Sequence, residues 1–401
     1  MMQMDWNGQR VLIIGVARQG TALARYLTTH GARVVLNDHR EADELVKVRQ
    51  SLADIPVEWA LGGHPLELLD DVDLVCISGG VPLTLPLIVE ARNRGLPLSN
   101  DSQIFLEAAP CRVAGITGSA GKTTTTSLVG RMAQISCELG VRCWSKSRSL
   151  TPNPQPRVWV GGNIGNPLIA DVDEMTPDDL VVMELSSFQL DLMTCSPDVA
   201  AVLNVTPNHL DRHGTMEAYT AAKARILDFQ QPGDMAVLGH DDLGAWGLAD
   251  SVRGGLLSFG MTRPPKGRFG TFLHEGWITL WDRETSRKLL PIEAIHLRGE
   301  HNLLNVLAAC AIAAAVDIPA DAMRAGVEKF AGVPHRLEFV RSWGGADWYN
   351  DSIATAPERA IAAIRSFDEP IVLLAGGRDK NLPWADLAAV VRQRVDHLVI
   401  F

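Results

Sequence analysis

Residues 112–124 read RVAGITGSAGKTT, an apolar run that passes directly into Thr117-Gly118-Ser119-Ala120-Gly121-Lys122-Thr123-Thr124 and then into the start of a helical pattern. The run has the length of a buried strand, and the glycines mark the turn out of it. Glycines at such a junction let backbone N–H groups wrap phosphate oxygens, and the helix N-terminus adds its dipole. Lys122 can reach the outer phosphates, and Thr123 can hold Mg²⁺. Gly118, Ser119, Ala120, Gly121, Lys122, Thr123 and Thr124 are therefore the expected nucleotide-phosphate site. The general phosphate-loop pattern asks for a glycine five residues before Gly121, where this chain has Ile116. The loop is a variant of that pattern.

Working outward, the N-terminal stretch alternates apolar runs (Val11 to Gly15, Val34 to Asn37, Leu74 to Ser78) with segments of helical period. That alternation predicts a parallel sheet with crossover helices, a Rossmann-like unit over residues 1–110. A second α/β unit is expected over 111–297, with strands at Leu180 to Met183 and Val199 to Val205. A third is expected over 298–401, opening on a helix from Asn302 to Val316 and adding strands at Trp348-Tyr349 and Ile371 to Ala375. It ends on the apolar run Leu398-Val399-Ile400-Phe401 with no helix after it, which predicts an incomplete third domain. Ser145 to Pro156 (SKSRSLTPNPQP) is polar and proline-rich and reads as a surface loop or insertion.

The 401 residues are 46% hydrophobic, enough for about two to three globular domains. A formal net charge of −10 without a long Lys/Arg run argues against a nucleic-acid-binding surface. The six cysteines show neither CxxC nor metal-ligand spacing and read as core residues of a reducing compartment. Asp5-Trp6-Asn7-Gly8 leads straight into a strand, without a signal-peptide pattern, and no apolar run approaches a membrane span's roughly 20 residues. A cytoplasmic protein is expected.

Three further segments carry chemistry. Val181 to Gln189 (VVMELSSFQ) brings Glu184 to the C-terminal end of a strand, where open α/β sheets bind ligands and where Mg²⁺ needs a carboxylate oxygen. The alternative is a solvated glutamate. Leu203 to His213 (LNVTPNHLDRH) carries His209 in a His-x-Asp group, suited to metal binding or proton transfer, although alone it reads as readily as a capped loop. Lys223, taken by itself, reads as an exposed helical lysine. The N-terminal Gly15-Val16-Ala17-Arg18-Gln19-Gly20, with Asp38 ending the next strand, has the outline of a dinucleotide fingerprint. Ala17 stands at its second glycine, where a side chain obstructs a pyrophosphate.

Together these segments resemble the Mur ligase family. The resemblance rests on TGSAGKTTTT, Gly161-Gly162-Asn163-Ile164-Gly165, Glu184 to Leu190 and NVTPNHLDRH with Lys223. Further on it rests on Gly299-Glu300-His301-Asn302-Leu303-Leu304-Asn305, Pro334-His335-Arg336, Asn350-Asp351-Ser352 and Gly376-Gly377-Arg378-Asp379-Lys380. It implies a three-domain architecture: a Rossmann-like N-terminal domain, a central P-loop ATPase-like domain and a C-terminal Rossmann-like domain. The activity implied is ATP-dependent amide-bond formation in peptidoglycan precursor synthesis, adding glutamate, as the D-enantiomer, to UDP-N-acetylmuramoyl-L-alanine through an acyl phosphate. Other readings are an L-glutamate-adding variant, another Mur ligase, a folylpolyglutamate synthase-like enzyme and a non-catalytic paralogue that binds nucleotide or UDP-sugar.

By the same resemblance the cofactors are ATP and two Mg²⁺, with Thr123, Glu184, His209 and Lys223 as metal-site residues and Lys223 carbamoylated. Lys122, Glu184, His209 and Lys223 are the implied catalytic residues. Asn302, Arg336 and Asp351 would complete the ATP site. Val16, Ala17, Asp38, Ser78 and Gly79 would hold the uridine diphosphate part, Asn163 and Ser186 would touch substrate, and Thr355 and Lys380 would grip the amino acid. A monomer without nucleic-acid partners or membrane span is implied. The chain departs from the family pattern at Asp351-Ser352-Ile353-Ala354-Thr355, where the family has Asp-Ser-Lys-Ala-Thr. Ile353 pairs with no anion, so a cation near ATP and the incoming amino acid is missing.

Overall fold

The computed structural model describes residues 5–140, 156–282, 284–377 and 382–401. The polar stretch from Ser145 therefore lies outside the described residues except for Pro156. The first unit holds strands β1 (Arg10–Ile14), β2 (Arg33–Asp38), β3 (Val57–Leu61), β4 (Leu74–Ile77) and β5 (Leu98–Ser99) with helices α1 (Arg18–Thr29), α2 (Val46–Ser51), α3 (Pro86–Asn93) and α4 (Asp101–Ala108). Its sheet is parallel throughout, in the order β3-β2-β1-β4-β5. Successive side chains of β1 point to opposite faces. Val11 and Ile13 accordingly join one core and Leu12 and Ile14 another, as a parallel sheet covered on both faces requires.

The second unit runs β6 (Arg112–Thr117), α5 (Lys122–Glu138), β7 (Val158–Gly162), β8 (Leu180–Glu184), α6 (Ser187–Leu190), β9 (Val199–Val202), α7 (Leu210–His213), α8 (Met216–Asp228), β10 (Met235–Gly239), α9 (Leu243–Trp246), β11 (Gly255–Gly260), β12 (Phe269–His274), β13 (Trp277–Trp281) and β14 (Ser286–Pro291). These strands form one nine-stranded sheet in the order β14-β13-β12-β11-β10-β9-β6-β8-β7. It is parallel from β7 to β12, with β13 and β14 added antiparallel. One apolar cluster runs from Val11 and Ile13 through Phe105 of α4 to Val181 and Met183 of β8. The first two units thus share a continuous core.

On the other face, α5 packs beside α10 (Glu300–Ala315) and α11 (Ala320–Glu328), joining Leu128 and Met132 to Leu307, Ile312, Met323 and Val327. This corrects the boundary expected at residue 297. The helix expected to open the third unit instead covers the central sheet. The reason is in its composition: small and apolar residues on nearly every side, eleven of sixteen buried, mark a helix that cannot face water.

The third unit's own elements are β15 (Glu338–Trp343), β16 (Ala346–Asn350), α12 (Pro357–Ile364), β17 (Ile371–Ala375), α13 (Ala385–Arg394) and β18 (Val395–Ile400). β15 and β16 form an antiparallel hairpin, and β17 and β18 pair in parallel. Because Ile312 is fully buried under the central sheet, Ile312→Ala is expected to cost about 2–5 kcal/mol in urea unfolding. A loss below about 1 kcal/mol would show that α10 is no part of that core.

Candidate active site

Parallel pairing brings the chemistry to one edge. β6 lies between β8 and β9, with Ile116 opposite Glu184 and Thr117 opposite Val202, while Gly162 at the end of β7 also faces Glu184. The variant position Ile116 is thereby explained. It belongs to the strand, where its carbonyl accepts the N–H of Leu185 at 2.9 Å, and the loop proper begins at Gly118. Gly121, the N-cap of α5, has φ +83°. A Cβ there would strike the Asn305 side chain, so both backbone and space demand glycine.

The loop is braced from below. Asn204 accepts the Ala120 N–H on Oδ1 at 2.8 Å and receives the Ser119 N–H on its carbonyl at 3.0 Å. The Ser119 hydroxyl donates to the Thr206 carbonyl at 2.9 Å and lies 3.1 Å from the Tyr219 hydroxyl. Ser119 and Ala120 therefore shape the loop, and the first turn of α5, at Lys122, Thr123 and Thr124, offers an anion N–H groups that have no partner within the helix. Asn204 and Asn305, which in the sequence are only members of longer motifs, are part of this framework.

Two lysines meet beneath the loop. Lys122 Nζ donates to the Gly118 carbonyl at 2.7 Å, and Lys223 Nζ donates to the same oxygen at 2.9 Å. Lys223 is 1% exposed, which corrects the plain reading of an exposed helical lysine: α8 turns it inward, 4.7 Å over the Tyr219 ring. Burial, with the nearby Lys122 charge, pulls the Lys223 amine down to about 6, and burial brings Lys122 down to about 8.

Glu184 is buried beside them. Its Oε1 accepts from Asn163 Nδ2 at 2.8 Å, whereas its Oε2 is buried with no hydrogen-bond partner. A buried carboxylate oxygen without a hydrogen-bond partner fits a hard divalent cation. Thr123 and His209 line the same cavity. His209 caps α7 with φ +53° and rests edge-on against Phe188 at 5.2 Å. Burial, reinforced by Lys122, holds its imidazole below the usual range, in the neutral form that binds metal. Among the described residues no three His, Cys, Asp or Glu side chains converge as a ready-made metal cluster, so a cation here would draw other ligands from phosphate oxygens or from a modified lysine.

These groups line a cavity of about 780 Å³. Asn163 and Ser186 of the central unit line it, as do Asn302, Arg336 and Asp351. Asn302 is fixed by its own bond to the Arg298 carbonyl at 2.7 Å and by Asn305. Arg336 Nε is buried without a partner, and burial with the neighbouring Arg359 lowers its guanidinium. Burial raises the Asp351 carboxyl. Thr355 is exposed and is no part of this wall. Lys380 lies outside the described residues. The cavity also takes in Arg359 and Ile353.

Val16, Ala17, Asp38, Ser78 and Gly79 gather apart from this cavity, at the β1 end of the first unit. The Ser78 hydroxyl donates to the Gly15 carbonyl at 2.7 Å, and Asp38 accepts the Val16 N–H at 2.9 Å. Burial opposes the Asp38 charge, but the Arg40 side chain and these N–H groups outweigh it and hold the carboxyl well below its usual range.

The pattern recurs in known proteins. A protein of Symbiobacterium thermophilum named UDP-N-acetylmuramoylalanine–D-glutamate ligase is 40% identical over 395 residues, 98% of this chain and 82% of that protein. One of the same name from Pelotomaculum thermopropionicum is 39% identical, covering 100% and 84%. This chain belongs to the Mur ligase family. The family's middle-domain profile matches residues 116–313 and its MurD-like N-terminal profile residues 9–99. The middle-domain match thus extends into α10, the helix seen to pack on the central sheet.

Among solved Mur ligases, the Thermotoga maritima UDP-N-acetylmuramate-alanine ligase MurC superposes with TM-score 0.57 at 20% identity, over 98% of this chain and 84% of its own. MurF of Acinetobacter baumannii gives 0.57 at 19%, over 98% and 78%. MurF of T. maritima, solved in complex with ADP, gives 0.53 at 16%, over 99% and 85%. They share the fold.

The buried Lys223 carries a consequence for stability. Its folded-state value of about 6 lies below the unfolded value of 10.5, so between those pH values the unfolded chain binds more protons and stability rises with pH. In CO₂-depleted, ligand-free buffer the unfolding free energy is expected to climb from pH 6 toward pH 10. Lys223→Met should flatten that slope. An identical slope in the variant would show that Lys223 is not the titrating group.

Proposed function

We propose that this chain is an ATP-dependent ligase that joins D-glutamate to the alanyl carboxylate of UDP-N-acetylmuramoyl-L-alanine in peptidoglycan precursor synthesis. The observation that carries it is that one cavity is lined by Lys122, Lys223, Arg336, Asp351 and Glu184, whose Oε2 has no hydrogen-bond partner. The two relatives' name supplies the amino acid and the acceptor.

In the first step an alanyl carboxylate oxygen bonds to the γ-phosphorus of ATP as the bond to the β,γ-bridging oxygen breaks, and the electron pair leaves with ADP. Lys122 and Arg336 bring positive charge to the phosphoryl oxygens where charge is greatest. In the second step the uncharged amine of D-glutamate attacks the acyl carbon. A C–N bond forms, the C–O bond to phosphate breaks, and the nitrogen gives up a proton. Asn163 and Ser186 hold the acyl end of the substrate, and Val16, Ala17, Asp38, Ser78 and Gly79 the uridine diphosphate end. Thr355 and Lys380 remain the amino-acid contacts proposed from the sequence.

Thr123, Glu184, His209 and Lys223 would hold Mg²⁺, two ions in all, which neutralises the charge of the phosphates. Lys223 enters as a carbamate. Its buried, uncharged amine adds to CO₂ with loss of one proton, turning a cation into an anionic oxygen ligand beside Glu184. The proposed oligomeric state is a monomer. Among the described residues no helix is long and apolar enough to cross a membrane, and the use of ATP and a nucleotide-linked substrate fits work in the cytoplasm.

Phosphate release from ATP and Mg²⁺ with UDP-N-acetylmuramoyl-L-alanine should require D-glutamate, with little release on L-glutamate or meso-diaminopimelate. Lys122→Ala and Glu184→Gln should each lower kcat by about 10²–10³-fold. Absence of release with every amino acid would sink the ligase reading. Protein equilibrated with ¹³C-bicarbonate should show a carbamate carbon by NMR that is missing from Lys223→Arg; its absence from both would remove the modification from the mechanism.

A further inference from the structure

Ile353 stands in the cavity wall, 41% exposed, where the family pattern has a lysine. An apolar side chain there offers nothing to an anion. Six residues on, Arg359 faces the same cavity from the first turn of α12. Pro357 at the helix start and the extended Ala356 that caps it set the direction of that turn. The Arg359 guanidinium is exposed, and its one hydrogen bond is a long contact of 3.5 Å from Nη1 to the Ile353 carbonyl. Among the described residues it forms no ion pair, not even with Glu358 beside it. It is therefore a cation held at a reactive cleft with its donors uncommitted.

Its neighbours show what it faces. The Arg359 charge acts on Lys122 of the phosphate loop, on Arg336 and on Asp351. Its effect on Lys122 exceeds that of Arg336. Arg359 and Lys122 line the same cavity, and the repulsion between two like charges there is relieved by an anion that both can reach. A planar guanidinium with several donors suits the equatorial oxygens of a transferring phosphoryl group better than a point charge does.

We infer that Arg359 replaces the cation removed by Ile353 and contacts the phosphoryl group as it passes from ATP to the acyl carboxylate. The inference rests on the proposed ligase reaction. The bonds are those of the first step above; Arg359 transfers no proton and stabilises charge already present.

The test is steady-state kinetics of the full chain with Mg²⁺-ATP, UDP-N-acetylmuramoyl-L-alanine and D-glutamate. The variants are R359A, R359K, I353K and the double variant R359A/I353K. R359A should lower kcat by about 10²–10³-fold while KM for ATP and for D-glutamate stays within about threefold, the signature of an interaction made in the transition state. R359K should retain part of the rate, and I353K placed in R359A should restore at least about tenfold. Because Arg359 is exposed, the thermal midpoint of each variant should match the parent chain.

A kcat for R359A within about threefold of the parent would reduce Arg359 to a solvated surface residue. A raised KM for D-glutamate with kcat preserved would assign it to the amino acid's carboxylate instead. Failure of I353K to restore R359A would overturn the replacement. A parent chain without phosphate release overturns the ligase reading and this inference together, whereas an active parent with an unaltered R359A overturns this inference alone.

Discussion

The site depends on the parallel alignment of β8, β6 and β9, which sets Glu184 opposite Ile116 and Val202 opposite Thr117, where β6 passes into the loop. That alignment follows from burial. β6 contributes Val113 to one core and Ala114 and Ile116 to the other, and a slip by one residue would exchange every one of these side chains between faces. The register that satisfies both cores also delivers the phosphate loop, the carboxylate and the Asn204 brace to a shared edge. Core packing and site geometry are thus one constraint.

Within that frame the site concentrates charge of both signs. The chain as a whole carries a formal charge of −10, and the cavity gathers Lys122, Lys223, Arg336 and Arg359 with Glu184, Asp241, Asp242, Asp351 and Glu358. Two of these cations lean on one backbone carbonyl, that of Gly118, which is weak compensation for charges removed from water. Burial lowers the proton affinities of both lysines, and the Lys122 charge adds to the effect on Lys223. A phosphate entering the cavity would offer both an anionic partner.

How much of this was legible in the sequence depends on whether local pattern and final environment coincide. The phosphate loop was legible because a strand, a glycine turn and a helix start are all local. Glu184 was placed correctly at its strand end for the same reason. Lys223 was singled out only by the family resemblance, since helical spacing says nothing about which side of α8 faces Tyr219 and the Gly118 carbonyl. The extent of the central unit was misread as well: a helix of small apolar residues shows that it is buried, but not against which sheet. Asn204 and Asn305 act through single hydrogen bonds and close contacts that arise only after folding.

Ile353 and Arg359 carry this reasoning furthest. Motif matching compares residue types at fixed positions, so the loss of a lysine at 353 reads as the loss of a function. The cleft responds to charge at a point in space, and that point can be reached from more than one place on the chain. From the first turn of α12 a side chain as long as arginine's enters the same cavity as position 353, with donors to spare for a phosphoryl group. A missing residue in a motif is therefore better judged by the charges that reach the site than by the motif, and the substitute proposed for position 353 is a neighbour whose sequence context, an arginine in the first turn of a helix, gives no sign of it.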